Sequence, residues 1–442
     1  MTRLIAIIIA AMSLGAFAQA PAAEVPGFVN EVVNMKAPVF PERTLSIAKT
    51  GAKKGKLATA AIQKAIDRIS AQGGGMVVVP AGEWLTGRLM LKSNVNLHIE
   101  EGAVLEFTGD LADYLPAVPS RYEGADVQSL GAMIYANNQQ NIAVTGKGHL
   151  KAPSHDSEIT KNIDTGLTVS AEKSIESGAA RATTVEKIYM PTFIGPVSCR
   201  DILIEDVTLD GSIFWNIAPV YCENIIIRGV TVNSHGRPRT DGIDIDSSVN
   251  ALIENTTLDC GDDCFTLKAG RGEEAVDLGR PTQNIVIRNC RVKRGVGGIT
   301  VGTETAGFIR NVYAENIVME NPRMPLYFKT RRPRGGGAEN IWINNVRVEN
   351  ANGPALQMDM LGSPSWMGAL AERLPAQPVG KVTPAFRNIH VDNLEVGTCR
   401  LLIQAKGLPE MPVENLTVTN VKSANKNIKL QDVGTFEITF KD

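Results

Sequence analysis

Residues 240–264 read TDGIDIDSSVNALIENTTLDCGDDC, and six of them are aspartates: Asp241, Asp244, Asp246, Asp259, Asp262 and Asp263. Val, Ile and Leu alternate around them with the period of a strand, although strands disfavour Asp. Carboxylates crowded on one surface repel. At least one then keeps its proton to higher pH and can act as a general acid, while neighbouring carboxylates hold and deprotonate a water. An acid and a base carboxyl flanking one bond is the arrangement of glycoside hydrolysis. That chemistry requires elements that bring distant aspartates to one face.

A repeat supplies such elements. The template N-I-x-I-x-N-V-x-V appears as DILIEDVTL at Asp201, NIIIRGVTV at Asn224, NALIENTTL at Asn250 and NIVIRNCRV at Asn284. It recurs as NVYAENIVM at Asn311, NIWINNVRV at Asn340, NIHVDNLEV at Asn388 and NLTVTNVKS at Asn415, with a weaker copy at Asn141. The intervals from 201 onward are 23, 26, 34, 27, 29, 48 and 27 residues. Repeats of this length build solenoids, and copies made only of short strands predict an all-β fold, a right-handed parallel β-helix. Successive coils stack about 4.8 Å apart. The repeated Asn is expected to form a ladder along one bend. Cys199 and Cys222, and Cys264 and Cys290, are each about one coil apart and are expected to stack inside as free thiols.

Asp241 precedes Asp262 by 21 residues, about one coil. The next two coils bring Gly295–Gly298 and then Lys329 to the same face. Asp262 and Asp263 are adjacent, so both can reach that face only at a bend, which Gly261 permits. A solvated edge is the plain alternative for these acids, and a calcium loop is the competing account of Asp244 and Asp246. DGIDID lacks the full pattern of such a loop. Asp244 is expected to anchor local backbone and Asp259 to be structural.

The rest of the chain frames this face. Its 442 residues are 43% hydrophobic with a net charge of −2, which gives no sign of a nucleic-acid partner. Residues 1–20 have Arg3, an apolar run and a small-x-small end, the pattern of a secretory signal peptide. The mature protein, 21–442, is then expected to be a single soluble domain, secreted or periplasmic and free of the membrane. Residues 58–74 carry Ala61, Ile62, Ala65, Ile66 and Ile69 at helical spacing, a helix to cap the open end of the solenoid. Residues 152–187 lack alternation and are expected to be a surface loop. No Cys or His spacing suggests zinc, and neither metal nor cofactor is expected.

The blocks TDG (240–242), GDD (261–263) and FKT (328–330) resemble glycoside hydrolase family 28, the polygalacturonases. The resemblance runs through most of the mature chain, including AAIQKAI, GGGMVVVPAGEW, YLPAVPSRYEG and GDDCFTLKAG, and YLPAVPSRYEG is like the bacterial, often exo-acting branch. It implies inverting hydrolysis of an acidic plant cell-wall polysaccharide or its oligosaccharides. By position, Asp262 would be the general acid, and Asp241 and Asp263 would hold and deprotonate the water. Lys329 and His235 would bind substrate. Three positions depart from the family pattern: Arg239 replaces an Asn, Val296 a His and Tyr327 an Arg. One of Arg331, Arg332 and Arg334 could replace the lost arginine. Two other functions compete: a carbohydrate-binding protein that has lost catalysis, and a calcium-dependent eliminase.

Overall fold

The computed structural model describes residues 25–161, 188–362 and 371–441. The expected signal peptide lies outside them. The chain winds as a right-handed parallel β-helix whose coils pair in register. One inward column runs Leu97, Val144, Ile204, Ile227, Ile253, Ile287, Ala314, Ile343, Val391 and Val418, each opposite the next. No member is more than 1% exposed. The alternation read from the sequence is therefore the inside and outside of one tube, and burial of the inward half drives its stacking.

The recurrent Asn makes the bend. Asn224, Asn250, Asn284, Asn311, Asn340, Asn388 and Asn415 all have φ between 53° and 59°. Asn tolerates this left-handed region better than most residues. Side-chain amides also link the coils: Asn250 Nδ2 donates to Asn224 Oδ1 at 3.2 Å, Asn284 to Asn250 at 3.1 Å, and Asn415 to Asn388 at 2.9 Å. The expected ladder is present.

The capping helix spans Thr59–Ala71 and buries Ile62, Ala65, Ile66 and Ile69 at the start of the core. A second, unexpected helix spans Gly27–Val33. Its Val29 and Val32 pack on Leu252, Val286 and Tyr313, and Met35, Ala37 and Phe40 continue over Ala143, Leu203 and Ile226. This N-terminal arm covers outward apolar residues that the repeat alone leaves exposed.

Two expectations need correction. Of the 152–187 loop, residues 162–187 lie outside the described residues, but the start is not merely surface: Glu158–Lys161 is helical and Ile159 is fully buried. The thiols are free as expected, and Cys199 N contacts Cys222 Sγ at 3.4 Å. Cys264 and Cys290 do not stack. Cys290 pairs with Ile317, whereas Cys264 stands on another face, where its amide donates to Gly297 O. Equal sequence spacing fails as a guide where the intervening loop lengths differ.

Candidate active site

The aspartates are held by backbone hydrogen bonds that run through four successive coils. Asn216 N and Nδ2 both donate to Asp241 O, at 2.9 and 2.8 Å. Gly242 N donates to Asp263 O at 2.8 Å, and Val296 N to Asp262 O at 2.9 Å. Between strands Thr257–Asp259 and Phe265–Lys268 the chain bends at Gly261. A Cβ there would lie 1.7 Å from Arg237 O, so the bend requires glycine. Asp241, Asp262 and Asp263 all line one cleft as a result.

Their environments differ. Lys329 reaches back across the Gly295–Gly298 coil, and its Nζ donates to Asp263 Oδ2 at 2.6 Å. Burial opposes the Lys329 charge, but the Asp263 carboxylate outweighs it and the pKa lies above the ordinary lysine value. Asp262 is half-buried, and its Oδ2 accepts from Arg239 N at 3.2 Å. Burial and the adjacent Asp263 charge push its pKa up, against the opposing pull of Lys329 and Lys268. The proton needed for general acid work is thus retained above the usual carboxylate range.

Lys268 anchors the other side. Its Nζ lies 3.2 Å from Glu304 Oε2, 3.7 Å from Asp244 Oδ1 and 3.8 Å from Asp241 Oδ2, and 4.5 Å from the centre of the Trp215 ring. Glu304 is also paired with Arg334 at 3.1 Å. Asp244 is fully buried, and no N–H or O–H donor reaches its oxygens among the described residues. It does not anchor backbone as expected. It and Asp241 instead share the Lys268 ammonium. Both are raised: Asp241 by burial and then the Asp244 and Asp262 charges, Asp244 by burial, against the pull of Lys268.

The cleft has a volume of about 710 Å³. Near Asp241 it is lined by Trp215, one coil before, and by Glu123. Glu123 lies in the turn of an antiparallel hairpin, Val118–Tyr122 with Ala125–Ser129, and is ion-paired with Arg239. Tyr122 stacks on Phe214 at 4.9 Å, and Phe214 on Trp215 at 5.0 Å. Gly124 approaches so closely that a Cβ would lie 2.6 Å from Glu304 Cγ. A buried ion pair, Arg121 Nη1 to Asp246 Oδ1 at 2.8 Å, fastens the hairpin to the solenoid. In the C-terminal direction the lining continues coil by coil through Val296, Arg323 and Gly353 to Arg400 and Gln404.

Four of the five expected site residues, Asp241, Asp262, Asp263 and Lys329, therefore meet in the cleft. His235 is not among its lining residues; its Nδ1 lies 3.0 Å from Cys260 O, beside the Gly261 bend. Asp246 holds Arg121, and Asp259 pairs with Arg294 at 2.5 Å. The arginines after Lys329 are not a solvated loop. Arg331 is 6% exposed and lines the cleft, Arg332 pairs with Glu410, and Arg334 is buried on Glu304. Sequence reasoning missed Lys268, Trp215, Glu304 and Arg121. A lysine at an outward position of FTLK, one coil above Asp246, was the available signal.

Comparisons with known proteins show the family of this chain. The model of glycosyl hydrolases family 28 matches residues 76–361. A probable polygalacturonase of Vitis vinifera is 28% identical over 375 residues, 83% of this chain and 70% of that protein. An exo-poly-alpha-D-galacturonosidase of Dickeya chrysanthemi is 28% identical over 336 residues, 70% of this chain but 55% of that protein. The crystal structure of an exopolygalacturonase from Thermotoga maritima superposes with a TM-score of 0.80 at 28% identity, covering 94% of each chain.

Proposed function

The chain belongs to glycosyl hydrolases family 28, and on that premise we propose that it is a secreted enzyme removing uronate units from the ends of pectic, polygalacturonate-type chains by inverting hydrolysis. Asp262 delivers its proton to the leaving glycosidic oxygen as the bond to the anomeric carbon breaks. A water held by Asp241 and Asp263 attacks that carbon from the opposite face, and its proton passes to one of these carboxylates. Lys329 orients Asp263 with one N–H. Its other two donors are available to a uronate carboxylate at the cleaved bond. His235 serves the site by bracing the turn that carries Asp262 and Asp263.

The observation that carries this proposal is the position of the acids near one end of the cleft lining, beside Trp215 and the hairpin. Trp215 stands one coil before Asp241 and the hairpin turn flanks the acids, against Arg239 and Glu304, while the lining extends over several coils the other way. A chain end fits against such a wall, and a continuous chain does not pass it. The relatives from Dickeya chrysanthemi and Thermotoga maritima carry exo-acting names, which supports the same proposal. Digestion of polygalacturonate should release the shortest saccharides from the first minutes, with little loss of viscosity. An early ladder of intermediate lengths with collapsing viscosity would contradict chain-end action. Unsaturated, ultraviolet-absorbing products would replace hydrolysis by elimination.

A further inference from the structure

Surface arginines on this solenoid are commonly matched by an acid directly opposite on the adjacent coil. Arg228 faces Glu205, Arg288 faces Glu254 and Arg387 faces Glu339, each as an ion pair. Arg323 and Arg400 break this rule. Both are exposed, both line the cleft, and among the described residues neither side chain has an ion-pair or hydrogen-bond partner. They also belong to a single column. Val296 N donates to Asp262 O, and Arg323 stands opposite Val296, between the pairs Gly295–Pro322 and Gly297–Met324. Gly353 N donates to Arg323 O at 2.7 Å, and Arg400 N to Gly353 O at 3.0 Å. The column from the acid is therefore Asp262, Val296, Arg323, Gly353, Arg400.

Gly353 leaves a notch without a side chain between two arginines. Their Cα atoms are two coil steps apart, about 10 Å, so both guanidinium groups can converge over the notch. Two like charges held side by side repel until an anion joins them. A planar carboxylate matches the donor fork of each guanidinium. Gln357 and Gln404, opposite each other on neighbouring coils, add uncharged amides to the same cleft. The notch is three coil steps, about 14 Å, from Asp262, too far for a sugar at the cleaved bond.

We propose that Arg323 and Arg400 clamp, over Gly353, the carboxylate of a uronate several units away from the cleaved bond. This rests on the proposed function above, and it makes the enzyme sensitive to the length and charge of the chain beyond the sugars being separated. The clamp is a binding device. It acts equally on bound substrate and transition state, so its loss appears in KM rather than kcat.

The test uses Arg323→Gln, Arg400→Gln and the double variant of the full chain, with galacturonate oligomers of two to six units. For each arginine, the ratio of kcat/KM on the hexamer to that on the dimer should fall about tenfold, as for loss of a charge-assisted hydrogen bond. The two losses should be non-additive, because both arginines serve one carboxylate. A ratio that changes less than twofold, or a loss independent of chain length, overturns the clamp. Calorimetric binding of the hexamer to wild type and double variant separates the clamp from the catalytic proposal. If the wild type cleaves no oligomer, the proposed activity fails, but the clamp still requires about tenfold weaker binding by the double variant. Equal binding overturns it.

Discussion

At the scale of single residues, the proposed chemistry depends on how one carboxyl is made an acid beside two that serve a water. Asp262 and Asp263 are neighbours in sequence but not in environment: Lys329 bonds Asp263, while Asp262 takes a backbone N–H and feels the Asp263 charge. Replacing Asp262 with Asn should lower kcat by about 10²–10⁴ and leave the fold intact, since an amide cannot deliver the proton. A variant retaining a tenth or more of the rate would remove Asp262 from that role. The pH profile tests the electrostatics. An acid works only while protonated, so the alkaline limb of kcat/KM follows the Asp262 pKa. Burial and Asp263 raise that pKa and Lys329 lowers it. Lys329→Met should therefore move the alkaline limb to higher pH while reducing the maximum rate. A limb that stays or moves down contradicts the assignment.

At the scale of elements, the hairpin Val118–Tyr122 with Ala125–Ser129 brings Glu123 to the cleft, and it is fastened by side chains rather than by the repeat. Asp246 is fully buried and the Arg121 side chain is 3% exposed. Arg121→Met would leave that carboxylate without its partner, at a cost of about 3–5 kcal/mol. Denaturant titration should show the loss, and the products from polygalacturonate should broaden as the wall loosens. Unchanged stability would mean that the hairpin is held by its other contacts, the aromatic stack and the Glu123–Arg239 pair. This element shows where the sequence was legible and where it was not. The repeat revealed the strands, the Asn bends and the capping helix, because each is a local pattern of period two, one coil or 3.6 residues. The hairpin joins residues 121 and 246, and no period connects them. The helix Gly27–Val33 was missed for the same reason: its seven residues make sense only against the outward side chains they cover.

At the scale of the whole molecule, a continuous core fixes the register of the coils, and that register is what turns spacing in sequence into proximity at the site. Counting residues from the repeat brought Asp241, Asp262, Asp263 and Lys329 to one face. It could not find Lys268, which belongs to a different column and comes within 4 Å of Asp241 only in three dimensions. Nor could it tell that Asp244 lies beside Lys268 instead of bonding the backbone. The stacked coils also give the cleft its direction, from Trp215 beside Asp241 toward Arg400. In the proposed mechanism Asp262 protonates the leaving oxygen while the water of Asp241 and Asp263 approaches from the other side, so the configuration of the attacked carbon must reverse. The most direct test is proton NMR of the first turnovers on a defined galacturonate oligomer, recorded before the sugar mutarotates. The account predicts that the newly formed reducing end appears first as the anomer opposite to the linkage that was cleaved. Initial release of the same anomer would mean a covalent carboxylate intermediate and would contradict the roles given to all three aspartates.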